Sequence, residues 1–220
     1  MSLEITGAII VGLAGLLIAT PFLVRRHLAV REEADARKLG LSFQARVPED
    51  FFRHLAGFEL LEATTADDIF NIMFRTEQDR QFAVFTMESG GPKRSHITRK
   101  VRVFFAASPA FDLPRFTLVP KNLTHRIERT PDINFRINST FSRRFLLQGE
   151  PEGKVRSLFS SRLLEYLSGY RELTLEGRGN FLIVIDPRAK LPQLVREGME
   201  IVSLIEDPEG FSLDPERGNI

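Results

Sequence analysis

An uncharged stretch of 20 residues near the N-terminus, residues 5–24, constrains this sequence more than any other feature. Eleven of these residues are Ile, Leu, Val or Phe. A helix of this length spans about 30 Å, which is the thickness of the hydrocarbon core of a bilayer. A cleaved signal peptide, the alternative, needs a basic start and a shorter apolar stretch, whereas this chain begins Met-Ser-Leu-Glu. The stretch therefore predicts a transmembrane helix.

The charges on either side of this stretch predict its orientation. Four cationic or titratable residues follow it: Arg25, Arg26, His27 and Arg31. Residues 1–4 carry one charged side chain, the carboxylate of Glu4. Because Lys and Arg accumulate on the cytoplasmic side of membrane proteins, the short N-terminus is expected outside and the rest of the chain in the cytoplasm. The pattern predicts a single-pass membrane protein, with the lipid bilayer as the partner of residues 5–24.

Small residues repeat along one face of the predicted membrane helix. They are spaced four, three and four residues apart, at Ala8, Gly12, Gly15 and Ala19. Close backbone approach along such a stripe drives the association of membrane helices, so these residues are candidate contacts for self-association or for another membrane protein. The alternative is that Gly and Ala are simply common in membrane helices.

The rest of the chain divides into three segments. Residues 25–40 are charged and rich in helix formers, which predicts a juxtamembrane helical stalk that ends at Gly40. Residues 41–206 are expected to form one soluble domain. Residues 207–220 contain two Pro and two Gly and are expected to be a flexible tail. The absence of cysteine excludes disulfides, thiolate metal sites and cysteine nucleophiles.

Strand and helix signals both occur within residues 41–206. The predicted strands fall at 70–74, 82–87, 97–105, 115–119, 143–148, 173–175 and 181–185, the last two joined by a turn at 177–180. The predicted helices fall at 48–56, 153–167 and 191–205, and residues 121–142 are expected to be irregular. The fold class is therefore α+β: an N-terminal transmembrane helix followed by a mainly antiparallel β-sheet domain packed with helices.

Positive charge is concentrated in the middle of the chain. Residues 93–144 have a net charge of +9, whereas the segments before and after them each have −4. The densest part is a candidate contact for anionic lipid head groups, formed by Lys93, Arg94, His96, Arg99, Lys100 and Arg102. The alternative, which is favoured, is an exposed strand face neutralised by acidic residues of the same domain. Nucleic acid is disfavoured, since no aromatic side chain interrupts residues 93–102.

Local catalytic motifs are absent from the sequence. It contains no phosphate-binding Gly-rich loop, no nucleophile elbow, and no pair of its four histidines at a metal-ligand spacing. Asp67 and Asp68 could hold Mg²⁺ or act as acid and base, but Thr65 precedes Asp68 at the spacing of a helix cap, which is the favoured interpretation. No catalytic, cofactor-binding or metal-ligating residue is predicted. The sequence favours a binding or scaffolding module over an enzyme whose site is assembled from distant residues.

Three short motifs accompany the single span. They are Leu-Gly-Leu-Ser-Phe at 39–43, Leu-Pro-Arg-Phe-Thr-Leu-Val-Pro at 113–120, and Phe-Ser-Arg-Arg-Phe at 141–145. Together they resemble an uncharacterised family of bacterial single-span, membrane-anchored proteins. The resemblance covers most of the chain and implies a bacterial inner-membrane setting, with no activity attached to it.

Overall fold

Eight strands form a single antiparallel sheet in the computed structural model, which describes residues 30–89, 99–121 and 131–209. Their bounds are β1 Ser42–Arg46, β2 Ile69–Glu77, β3 Arg80–Ser89, β4 Arg99–Ala107, β5 Leu113–Pro120, β6 Phe145–Glu150, β7 Thr174–Gly179 and β8 Phe181–Ile185. The strand order is β1-β2-β3-β4-β8-β7-β5-β6, and each neighbouring pair is antiparallel. The predicted α+β class with an antiparallel sheet is confirmed.

Six α-helices accompany the sheet within the described ranges. They are α1 at 30–38, α2 Glu49–Leu55, α3 Ser139–Arg144, α4 Glu152–Leu158, α5 Ser161–Ser168 and α6 Leu191–Glu206. The predicted helices at 48–56 and 191–205 correspond to α2 and α6. None of these helices is long and apolar enough to cross a bilayer. The predicted span at residues 5–24 lies outside the described residues.

Alternation along the strands sends apolar side chains to both sides of the sheet. In β4, Val103 and Phe105 belong to one buried cluster and Phe104 belongs to the other. The predicted strands at 70–74 and 82–87 lie within β2 and β3, which pair as a hairpin. Asn71, with φ 54°, lies at a bulge that interrupts the β2–β3 register. Because both sides of the sheet are apolar, each must be covered by other elements.

Most of the helices cover one side of the sheet, which we call the helix face. Buried residues of α1, α3, α4, α5 and α6 join the apolar cluster on this side. A Cβ atom at Gly198 of α6 would lie 2.4 Å from the ring of Phe104, so only glycine allows α6 to approach β4 this closely. The other side is covered by residues 47–68, which contain α2 and two 3₁₀ turns and which we call the strap.

Two sequence predictions differ from the structure around α3, α4 and α5. Residues 139–144, expected to be irregular and then to start a strand, form α3, because the Oδ1 atom of Asn138 accepts a hydrogen bond of 2.9 Å from the amide of Phe141. The strand β6 consequently begins at Phe145. The single helix predicted over 153–167 is two helices, because Ser160 caps a new one through its Oγ atom, 3.3 Å from the amide of Leu163.

The helix predicted as a juxtamembrane stalk packs against the domain. Ala36 of α1 is completely buried in the cluster of the helix face, and the carboxylate of Glu32 lies 3.1 Å from the guanidinium of Arg102 on β4. Gly40, with φ 69°, ends this helix, as the sequence predicted. Residues 30–38 are therefore part of the same packed unit as the sheet, which extends the domain beyond its predicted start at residue 41.

Candidate functional site

Three apolar side chains hold the strap against the sheet. Leu55, Phe58 and Leu61 are 1–4% exposed and share a cluster with residues of β3, β4 and β8. The ring of Phe51 also lies 5.0 Å from that of Phe105 in an edge-to-face arrangement. The strap contains one short α-helix, and the rest of its backbone is irregular. Hydrogen bonds with polar side chains fix the path of this irregular part.

Glu176 of β7 anchors the middle of the strap. Its side chain is 1% exposed, and its two carboxylate oxygens accept hydrogen bonds from consecutive strap amides, those of Glu59 at 2.7 Å and Leu60 at 2.9 Å. The carboxylate thereby satisfies the free amides at the start of the 3₁₀ turn Glu59–Leu61. Burial raises the pKa of Glu176, and the two backbone bonds oppose part of that rise.

Arg178, two residues further along the same strand face, anchors the preceding turn. Its Nη2 atom donates to the carbonyl oxygens of Ala56 at 2.7 Å and His54 at 3.3 Å. Its guanidinium lies 5.0 Å from the ring centroid of Phe58, a cation–π contact. Gly57 has φ 109°, and a Cβ atom there would lie 2.4 Å from the Nη1 atom of Arg178. This turn therefore requires glycine for both its conformation and its contact.

The strap and the end of β5 enclose a cleft of about 490 Å³. Leu55, Phe58 and Leu61 give it an apolar lining, and its rim includes Glu59 and Arg115, whose side chains form an ion pair of 2.8 Å. Among the described residues that line it, the polar side chains are those of Glu59, Glu62, Thr64 and Arg115. An apolar lining with a charged rim is suited to binding an apolar group that carries a polar end.

The basic segment predicted as a lipid contact is described only at its end. Lys93, Arg94 and His96 lie outside the described residues, and Arg99 is the first residue of β4. The Nζ atom of Lys100 lies 3.5 Å from a carboxylate oxygen of Glu88, and Arg102 pairs with Glu32. These two cations are therefore neutralised by acids of the same domain. Lipid contact by residues 93–102 stays a prediction.

The aspartate pair Asp67–Asp68 lies in the second 3₁₀ turn of the strap. The Oδ2 atom of Asp68 accepts hydrogen bonds from the amide of Thr65 at 2.8 Å and from its hydroxyl at 2.7 Å. These bonds lower the pKa of Asp68 and form the cap that the sequence predicted. In the part of the chain that the structure describes, no three His, Asp or Glu side chains are grouped to hold a metal ion.

The other predicted contact residues are mostly outside the described ranges. Ala8, Gly12, Gly15 and Ala19 precede residue 30, and of the four histidines only His54 is described. His54 is exposed on α2, with its ring 5.1 Å from that of Phe181. It is a polar-face residue, as the sequence analysis expected.

The sheet and its covering elements have a solved counterpart. The chain is similar in fold to the mycobacterial trehalose monomycolate transport factor A, TtfA. The TM-score is 0.60, and the match covers 83% of this chain and 94% of that one. At 14% sequence identity the likeness concerns the fold alone. No protein-family model matches this chain, and no curated protein matches it significantly.

Sequence reasoning missed the anchors of the strap. The sequence predicts that Arg178 lies in a turn over residues 177–180, whereas in the structure it lies in β7. Arg178 pairs with Phe181, so the chain reverses at Gly179, the last residue of β7, and Asn180. Glu176 shares that face of the strand, opposite the buried side chain of Leu175. Strict alternation would expose both charges to water. The contacts that bury Glu176 come from residues more than 100 positions away, and no local pattern indicates them.

Proposed function

We propose that the chain is a single-pass protein anchored in a bacterial inner membrane by residues 5–24, whose α+β domain is a cytoplasmic binding module for a membrane partner. This groups it with the single-span, membrane-anchored bacterial proteins that its motifs resemble. The fold likeness to a protein named as a transport factor supports a search for the partner among membrane transport assemblies.

The short connection between the predicted span and the domain carries this proposal. At most five residues, 25–29, lie between the predicted span and the first described residue of α1, and α1 packs into the domain through the buried side chain of Ala36. An extended chain of this length reaches about 20 Å. The domain would therefore be held close to the head groups, and such confinement raises its effective concentration for partners in the same membrane.

The cleft beside the strap is the surface that we propose for this partner. It combines buried apolar side chains with the exposed charges of Glu59, Glu62 and Arg115. A partner segment with an apolar residue flanked by charged groups would be complementary to it. The strap backbone is fixed by Glu176 and Arg178, so the cleft is pre-organised and binding would cost little ordering of the protein.

Site-specific photo-cross-linking of the full chain in cells tests the proposal. A photoreactive residue at Glu62, on the rim of the cleft, is expected to give an adduct of defined mass in the membrane fraction. The matched control is Glu165, which is exposed on α5 of the helix face, on the other side of the sheet from the strap, and is expected to give none. The adduct should persist when an unrelated single span replaces residues 5–24 and should disappear when those residues are deleted.

Two results would contradict the proposal. Equal adducts from positions 165 and 62 would show that the cleft is not the contact surface. An undiminished adduct without residues 5–24 would show that tethering to the membrane is not required.

A further inference from the structure

Four cationic side chains line one pocket of about 380 Å³ on the other half of the sheet from β1. They come from separate parts of the chain. Lys121 directly follows β5, Arg143 and Arg144 end α3, and Arg171 lies between α5 and β7. The fold therefore gathers four positive charges that are up to 50 residues apart in sequence. Such a concentration of like charge is unfavourable unless something neutralises it.

The domain supplies this pocket with little negative charge. The Nζ atom of Lys121 lies 2.7 Å from a carboxylate oxygen of Asp132 and 2.6 Å from the carbonyl oxygen of Ser142. Arg143 and Arg171 are exposed, and within the described ranges neither forms an ion pair. Glu172, next to Arg171 in sequence, is instead paired with Arg188. Asp132 thus offsets the charge of Lys121, while Arg143 and Arg171 have no acidic partner among the described residues.

Arg144 is held in position to complete the pocket. Its Nη1 atom donates to the carbonyl oxygen of Ser168 and lies 3.5 Å from that of Tyr170. These contacts engage one edge of the half-buried guanidinium, and its remaining donors are available to a ligand. A fixed guanidinium with free donors matches the geometry of phosphate oxygens, which accept paired hydrogen bonds from arginine.

The end of α3 explains part of this cluster without any ligand. Arg143 and Arg144 occupy the last turn of that helix, where cations interact favourably with its C-terminus. Lys121 and Arg171 lie outside α3, so an interaction with the C-terminus of this helix does not account for their position. The convergence of all four on one pocket requires a further reason.

We propose that Lys121, Arg143, Arg144 and Arg171 form a binding site for a phosphate-class anion. The phosphate would be either that of a soluble molecule or that of an anionic phospholipid head group, because the same donors recognise both. The site is distinct from the basic segment 93–102 and from the cleft beside the strap. The result of its test therefore does not depend on the proposed function.

Calorimetric titration of inorganic pyrophosphate into the full chain, in neutral-detergent micelles at fixed ionic strength, tests the site. Saturable binding is expected, and the double variant Arg143→Gln/Arg171→Gln is expected to weaken it at least about tenfold, since hydrogen bonds to charged groups contribute about 1.5–3 kcal/mol. Both residues are exposed, and among the described residues neither makes a hydrogen bond or an ion pair, so the thermal midpoint should change little. The matched control Arg46→Gln removes an exposed cation at the far edge and should bind as the native chain does.

Lipid-doped micelles distinguish the two sources of phosphate. Competition with pyrophosphate by phosphatidic acid, but not by phosphatidylcholine, would assign the site to a lipid head group. Pyrophosphate binding without such competition would assign it to a soluble anion. The proposal is overturned if pyrophosphate does not bind saturably, or if Arg143→Gln/Arg171→Gln and Arg46→Gln change its affinity equally.

Discussion

The two faces of the sheet are closed by different kinds of contact. The helix face is covered by five helices whose buried side chains are almost all apolar, whereas the strap face is covered by one largely irregular segment. The strap contributes fewer buried apolar side chains than the helices do, and its backbone path is fixed by hydrogen bonds to Glu176 and Arg178. Apolar burial distributed over many residues resists local opening, while a segment held by a few directional bonds can open separately. We therefore expect the strap to be the less stable covering.

Each face also contains a buried glutamate. Glu176 faces the strap, and both of its carboxylate oxygens accept hydrogen bonds from backbone amides. Glu197 of α6 lies on the helix face and accepts a hydrogen bond of 2.7 Å from the side-chain Nε2 atom of Gln193. Burial raises the pKa of both carboxyls. The carboxylate of Glu176 fixes a backbone turn, whereas the polar neighbours of Glu197 are side chains, among them those of Gln193 and Tyr170.

The largest effect is expected from Phe104→Ala on the helix face. Phe104 is 1% exposed and lies beneath Gly198 of α6. Removing its ring should cost about 3–5 kcal/mol in the free energy of unfolding, because a cavity remains where α6 meets β4. Urea unfolding of the full chain in micelles measures this, and hydrogen exchange should show protection lost on both faces.

Phe58→Ala is the matched variant on the strap face. Phe58 is also 1% exposed, but it belongs to the strap. Its loss is expected to release residues 47–68 while the amides of α6 keep their protection. Equal loss of protection on both faces in this variant would show that the strap and the helices open as one unit.

The second effect is expected from Glu176→Ala. This change leaves the part-buried amides of Glu59 and Leu60 without partners in the protein, and we expect a total cost of about 1–3 kcal/mol. Exchange should accelerate in the strap first. Glu172→Ala is the control, because it removes a surface pair with Arg188 whose expected contribution is about 0–1 kcal/mol. Strap exchange that is the same in the two variants would contradict the anchoring role of Glu176.

A third effect is the pH dependence caused by Glu197. A carboxyl whose pKa is raised in the folded state binds its proton more tightly in the native chain than in the unfolded chain. Its contribution to the free energy of unfolding is therefore complete below the unfolded-state pKa and is lost as pH rises through the folded-state pKa. The native chain should therefore lose stability across this window, and Glu197→Gln should flatten the profile. Thermal midpoints between about pH 4 and pH 8 measure this. A parallel profile for the variant would rule out Glu197 as the cause.

The smallest effect is expected from Glu32→Gln, which breaks the pair between α1 and β4. The pair with Arg102 is partly exposed, so its loss should cost about 1 kcal/mol or less. A double-mutant cycle with Arg102→Gln isolates the coupling. A coupling near zero would leave Ala36 and its apolar neighbours as the contacts that hold α1 on the helix face.

The difference between the faces also explains what the sequence predicted well. Apolar periodicity is a local property, and it predicted α6, the strands of both hairpins and one apolar face of β4. It did not predict that Phe104 is buried on the other face of β4. It failed where a polar side chain decided the local structure, as Asn138 does for α3 and Ser160 does between α4 and α5. The capping arrangement of Thr65 and Asp68 was found because its partners are three residues apart.

The candidate sites depended on contacts between distant residues, and for that reason they were not predicted. Glu176 reaches amides 116 and 117 positions earlier in the chain. The cationic pocket joins Lys121 to Arg171 across 50 residues, although three of its members lie in the segment that the charge count marked as basic. Charge composition indicated the region, and only the topology brought the four side chains together.

We propose that residues 5–24 anchor this domain on the cytoplasmic side of the membrane. Topology reporters fused to the C-terminus of the full chain test this proposal most directly. A reporter that is active only in the cytoplasm should give signal, and one that is active only after export should be silent. Changing Arg25 and Arg26 to Glu should weaken this preference, because the proposed orientation depends on these cations. Signal from the export reporter on the native chain would contradict the account and would direct the search for partners to the cell envelope.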